Sequence, residues 1–160
     1  MKTIIIGLGN PYLSDDGVGI VVSREIEKVL AAQNFNDHGV VVTEASVGGL
    51  RLMEMMVGYD QAILIDSLVS DGQPGTVRCL TLANLDIMPP TQHSASAHDA
   101  NLPTAVAAGR IMGFALPDKI IIYAIECANT QTFGEELTTA VATVVPEVVT
   151  AVLEEITCLV

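Results

Sequence analysis

The chain has 160 residues, half of them hydrophobic and 16 % charged, with a mean hydropathy of +0.49, which excludes intrinsic disorder and supplies a core needing no disulfide or metal staple. Seven Lys plus Arg against nineteen Asp plus Glu leave a formal charge of −12, and Trp is absent beside three Tyr and three Phe. Phosphate backbones therefore meet repulsion and bases find few stacking platforms, so nucleic acid is not an expected partner. The apolar runs fall far short of the roughly 18 residues that cross a bilayer, so no membrane partner is expected either.

In chain order, residues 3–6 form a β-branched run stopped by Gly7, Gly9, Asn10 and Pro11, the pattern of a strand entering a loop. The opening MKTIIIGLGNPY carries one Lys and few apolar residues before its glycines. That is too short for a secretory segment; a buried first strand and a cytoplasmic location are expected. Over residues 16–30, Val18, Ile20, Val21, Val22, Ile26, Val29 and Leu30 recur near helical spacing, with Asp15 and Asp16 in the first turn, where the helix dipole favours anions. Residues 40–43 read as a second strand and 50–57 as a short Met-rich helix. Residues 62–65, wholly apolar, read as a third strand central in a parallel sheet.

A Pro/Gly turn at 72–75 leads into a fourth strand, 76–82, suited to an antiparallel or edge position. Then comes MPPTQHSASAHDAN, an aperiodic stretch too long for an ordinary connection in a compact domain. Asn101, Leu102 and Pro103 open a helix that runs to Gly113 on small residues, and 120–124 is a fifth strand. Residues 138–157 close the chain as a helix with a break expected at Pro146. This alternation, without linker or repeat, predicts one α/β domain over residues 1–160, with about five mostly parallel strands and helices on both faces.

In such sheets ligands bind beyond the carboxyl ends of the strands. The polar residues expected there are Asn10, Asp15 and Asp16 after the first strand, Glu44 after the second and Asp66 after the third. His93, His98 and Asp99 follow the fourth, and Glu126 ends the fifth. Crowded carboxylates repel unless a cation neutralises them, so a divalent metal bound by oxygen and imidazole is the natural resolution. Each residue also has a plainer reading. Asp15 and Asp16 serve equally as dipole partners of the helix, Asp66 as a turn residue, Glu44 and Glu126 as rim charges, and a loop histidine as a solvated one. His38, in NDHG, reads as a turn residue without a role. The Met53, Met55 and Met56 cluster reads as core filling. Cys79 and Cys127 read as buried, and with Cys158 they form an odd, widely spaced set that supports neither a zinc finger nor a disulfide framework. GLGNPYLS lacks the last glycine of the dinucleotide fingerprint, and no GxSxG, HExxH or P-loop occurs.

Three segments, in order, resemble the hydrogenase maturation proteases. GLGNPYLSDDGVGI (7–20) is similar to the family's glycine–glycine–asparagine opening with its acidic pair. ILIDSLVSDGQPGTV (63–77) resembles its strand, aspartate and Pro-Gly-Thr hairpin. SAHDANLPTAV (96–106) resembles its Ser-x-His segment before a helix. The resemblance extends over nearly the whole chain and implies a three-ligand metal and catalytic site of Asp16, Asp66 and His98. One departure is Asp16, where the family's first ligand is often Glu. Two carboxylates and an imidazole suit nickel, zinc or manganese by donor type. His98 is preferred to His93 because it lies just before the helix start, whereas His93 is deeper in a Ser/Ala loop and loses more entropy on ordering.

The implied activity is an endopeptidase that removes the C-terminal extension of a NiFe hydrogenase large-subunit precursor after nickel insertion. The nickel is supplied by the precursor, and zinc or another divalent ion is an alternative occupant in isolation. Two other readings compete. A non-proteolytic nickel-binding assembly chaperone needs the same ligands. Peptidyl-tRNA hydrolase shares the strand-GLGNP opening, but DDGVGI stands where its histidine–asparagine pair is required, and the charge of −12 opposes tRNA.

Overall fold

The computed structural model describes residues 1–33, 39–87 and 101–157. Strand β1 (Thr3–Leu8) is buried at all of its positions, as a strand flanked by two parallel neighbours must be. A 3-10 turn over Ser14–Gly17 leads into α1 (Val18–Ala32), whose buried Val18, Val22, Ile26 and Leu30 repeat every fourth residue as one stripe toward the sheet. There follow β2 (Val40–Ala45), α2 (Gly49–Met55), β3 (Gln61–Leu68), β4 (Val77–Thr81), α3 (Leu82–Ile87), α4 (Leu102–Ile111), β5 (Lys119–Glu126) and α5 (Thr139–Thr157).

The strands lie in the order β2-β1-β3-β5-β4. The first four run parallel, and β4 is antiparallel to β5 at the edge. Strand alternation sorts the core into two layers. Ile4, Ile6, Leu64 and Ile122 face α2 and α4, while Ile5, Ile63, Ile65 and Ile121 face α1 and α5. The predicted α/β sandwich with helices on both faces is the fold observed.

Glycine makes the tight β1–α1 crossing possible. A Cβ on Gly7 would collide with the Gly19 carbonyl, and one on Gly19 with the carbonyls of Leu8 and Ile65. At α4, Asn101 caps the helix as expected, its Oδ1 accepting the Thr104 N–H at 3.0 Å, with Pro103 in the first turn.

Four expectations change. Strand β3 runs on through Asp66 to Leu68, because β5 stays alongside it after β1 ends at Leu8. Residue 82 leaves the fourth strand and starts α3, an element the sequence pattern does not announce. Helix α5 continues through Pro146. The ring lies on the exposed side, where the carbonyl that loses its N–H partner meets water. Cys79, expected inside, is exposed on the edge strand β4, whereas Cys127 is buried. Met53 and Met56 are core, with Met55 packed against them. His38 and Cys158 lie outside the described residues.

Candidate functional site

The chain leaves β1 for β2 on one side and returns to β3 on the other, so the strand order reverses between β1 and β3. A crevice opens at such a point beyond the carboxyl ends of the strands. Asp16 stands in the turn that follows β1, and Asp66 stands near the end of β3.

The β1 loop is shaped by two unusual backbone positions. Gly9 has φ +128°, and a Cβ there would run into the Asp16 carbonyl. Ser14 has φ +50°, rare for a side-chain-bearing residue. Its N–H donates to Gly134 O at 2.8 Å and its hydroxyl to Glu136 O at 2.9 Å, which hold it there. The consequence is that the two neighbouring aspartates point to different tasks.

Asp15 is wholly buried. Its carboxylate accepts the Ala128 and Asn129 N–H groups at 3.0 Å each, the Thr138 N–H at 2.7 Å and the Thr138 hydroxyl at 2.8 Å. It is the anchor of the loop after β5 and not a site residue, nor a mere partner of the α1 dipole. Asp16 is half-buried. Its Oδ2 accepts the Asn10 N–H at 2.8 Å and its Oδ1 accepts the Ser67 hydroxyl at 2.9 Å. Asp66 is buried, and its Oδ1 accepts the Ser67 N–H at 2.8 Å. The two carboxylates thus meet at one residue.

Of the other residues expected at this edge, Glu44 is turned outward in an exposed ion pair with Arg24 at 2.7 Å. Glu126 is buried, accepting the Ser70 N–H at 2.6 Å and hydroxyl at 2.7 Å, with Arg78 at 3.9 Å, and so fastens the β3–β4 connection. Cys127 donates weakly to the Ile125 carbonyl at 3.2 Å. Burial, reinforced by the Asp15 charge, pushes its thiol up to about 12, so it stays neutral and is no nucleophile at pH 7. His93, His98 and Asp99 lie outside the described residues.

Among the described residues no cluster of three or more His, Cys, Asp or Glu is gathered closely enough to hold a metal ion. The carboxylates of Asp16 and Asp66 are of the donor type that divalent cations take, and as a pair they would fill only part of such a set. Ser67 is the residue missed in the sequence. A serine after a strand aspartate carries no signal, and its carboxylate partner stands 51 positions away in sequence.

A family model described as "Hydrogenase maturation protease" matches residues 20–155, a span that includes Asp66 and begins just after Asp16. The chain is 24 % identical over 145 residues to the hydrogenase expression/formation protein HupD of Rhizobium leguminosarum bv. viciae, covering 91 % of this chain and 69 % of that protein. It is 23 % identical over 126 residues to the hydrogenase 2 maturation protease of Escherichia coli K12, covering 78 % of this chain and 73 % of that one. The fold is similar to that of the hydrogenase maturating endopeptidase HybD from E. coli, with a TM-score of 0.76 at 21 % identity, covering 97 % of this chain and 91 % of the other. It is also similar to the hydrogenase maturation protease HybD from Thermococcus kodakarensis, with a TM-score of 0.62 at 23 % identity over 96 % and 98 % of the two chains.

Proposed function

The chain belongs to the hydrogenase maturation protease family, and from that premise we propose that it is an endopeptidase that removes the C-terminal extension of a NiFe hydrogenase large-subunit precursor after nickel insertion. The observation that supports this reading is the meeting of Asp16 and Asp66 at Ser67, on the sheet edge where this topology places ligands.

In this reading Asp16, Asp66 and His98 are the donors to a divalent cation. They form an incomplete set whose open positions are filled by ligands that arrive with the substrate. Nickel already held by the precursor is thus recognised as part of the substrate, and zinc or another divalent ion takes its place in the isolated protein. A cation on such donors supplies Lewis-acid polarisation of the scissile carbonyl. The chain's own part is to hold the two carboxylates at the edge and to fix the loops around them. Hydrolysis adds a water oxygen to the carbonyl carbon, breaks the C–N bond and leaves a proton on the departing amine. Among the described residues no helix is long and apolar enough to cross a membrane. A cytoplasmic location is part of the proposed reading.

The test incubates the purified chain with nickel-free and nickel-loaded precursor and follows tail loss by mass. Cleavage of the loaded form alone is expected. Equal cleavage of both overturns the nickel-reading step, and cleavage of neither favours a non-proteolytic assembly role.

A further inference from the structure

Ser67 lies one residue beyond Asp66 in β3, where β5 still runs alongside but β1 has ended. It is almost fully buried, with a fractional exposure of 1 %. Strand alternation turns its side chain toward the α1 face, the side of Ile63 and Ile65, while Asp66 shares the α2/α4 face with Leu64 and Leu68. From that position its two polar hydrogens serve two different acids. The hydroxyl donates to Asp16 Oδ1 at 2.9 Å and the N–H donates to Asp66 Oδ1 at 2.8 Å.

We propose that Ser67 is a positioning residue that clamps Asp16 and Asp66 together as a pair of cation donors. The inference rests on the reading of those carboxylates as donors, and it adds a residue that the reading does not contain. Three physical points carry it. The Asp16 side chain comes from a loop, and its two oxygens are fixed from opposite ends, Oδ2 by the Asn10 N–H at 2.8 Å and Oδ1 by the Ser67 hydroxyl. With both ends held, the carboxylate plane is set, and each oxygen keeps a lone pair for a cation. The Asn10 N–H and Ser67 hydroxyl reach the carboxylate at 2.8 and 2.9 Å, ordinary hydrogen-bond lengths. Donors placed on both anions also offset the repulsion that drives neighbouring carboxylates apart before a cation arrives. Groups that orient metal ligands in this manner are worth about 10–100-fold in affinity.

The test uses the full chain and four variants, three at Ser67 and one double variant at its partners. Nickel(II) alone is titrated by calorimetry, and processing of nickel-loaded precursor is followed in parallel. Ser67→Ala is expected to weaken nickel binding and kcat/KM by about 10–100-fold with little change in Tm. The pair Ser67→Thr and Ser67→Val keeps the result readable if Ala disturbs folding, because the two side chains match in shape and differ in the hydroxyl. Thr restores binding to within a few-fold of the native chain and Val does not. Equal nickel affinity in the Thr and Val variants, or native affinity in Ser67→Ala, overturns the clamp. The double variant Asp16→Asn/Asp66→Asn separates this from the reading beneath it. If it binds nickel like the native chain, the carboxylates are not donors and both ideas fall. If it loses nickel while Ser67→Val retains it, the clamp alone falls.

Discussion

Replacing Asp15 by alanine tests whether the acidic pair divides its labour as the geometry indicates. Asp15 has no exposed surface, and its carboxylate accepts three main-chain N–H groups and one hydroxyl from residues 128, 129 and 138. Alanine leaves these donors without their acceptor. A stranded buried donor costs about 1–3 kcal/mol, and loss of one partner from a buried charged network costs about 3–5 kcal/mol in total. Water reaching the part-buried loop recovers some of this, so we take about 3–5 kcal/mol as the expected loss. That is a large share of the roughly 5–15 kcal/mol that holds a domain together. At about 2–4 °C per kcal/mol for a domain of this size, Tm falls by about 6–20 °C. Asp15→Asn gains little back, because its amide nitrogen faces donors. Urea titration followed by circular dichroism measures the change, with the slope m unaltered if the denatured state is unaffected. Asp16→Asn is the control one residue along. Asp16 is half-buried and carries two hydrogen bonds, so its stability cost stays near 1 kcal/mol. A loss below about 1 kcal/mol for Asp15→Ala, or equal losses at the two positions, refutes the division.

Asp16→Asn and Asp66→Asn are each expected to abolish tail removal, read by mass, while circular dichroism remains that of the native fold; processing at more than a tenth of the native rate contradicts the donor roles. Pro146→Ala restores an N–H to the interior of α5 on its exposed side, and it is expected to raise stability by about 1–3 kcal/mol in a urea titration; a decrease shows that the ring's restriction of the unfolded chain dominates. At alkaline pH the Cys127 thiol and the Tyr123 phenol, each pushed up to about 12 chiefly by burial, stay protonated in the folded chain after the unfolded chain begins to release its protons. Folding then binds protons, so stability is complete below about pH 9 and falls as pH rises toward 12; a Tm that is flat across that window in a buffered melt series contradicts the assignment.

The fold was legible because its signals are local. The β-branched run of β1, the four-residue repeat of α1, the wholly apolar run 62–65 within β3 and the Asn-Leu-Pro opening of α4 each specify an element from within. Features set by partners distant in sequence were not. Strand β4 pairs with β5, which follows it by some forty residues, and β3 is prolonged by the same neighbour. Cys79 resembles a core residue by type and is exposed because its strand is the last of the sheet. At the site, the residues alone left Asp16 open as a helix-dipole partner and Asp66 as a turn residue, and it was the resemblance of their segments to a family that singled them out. The work of Asp15 and Ser67 was not legible, because each acts on residues more than fifty positions away.

The acids at this edge differ in what satisfies them, and the proposed cation role of Asp16 draws on that difference. Glu44 is met by the Arg24 guanidinium at 2.7 and 3.1 Å, and Glu126 has Arg78 at 3.9 Å. Asp15 is spent on four donors of the loop it anchors. Asp16 has instead an amide and a hydroxyl, neutral groups that fix its direction without cancelling its charge. A guanidinium there would occupy the lone pairs and neutralise the field that draws a metal, whereas N–H and O–H donors leave both in place. In a chain with seven basic residues against nineteen acids, Arg24 is placed against the exposed Glu44 and Arg78 near the buried Glu126, while neutral donors hold Asp16. That distribution suits the proposed reception of a positive ion from a partner, for which a short polar side chain such as Ser67 serves beside Asp16 better than a basic one.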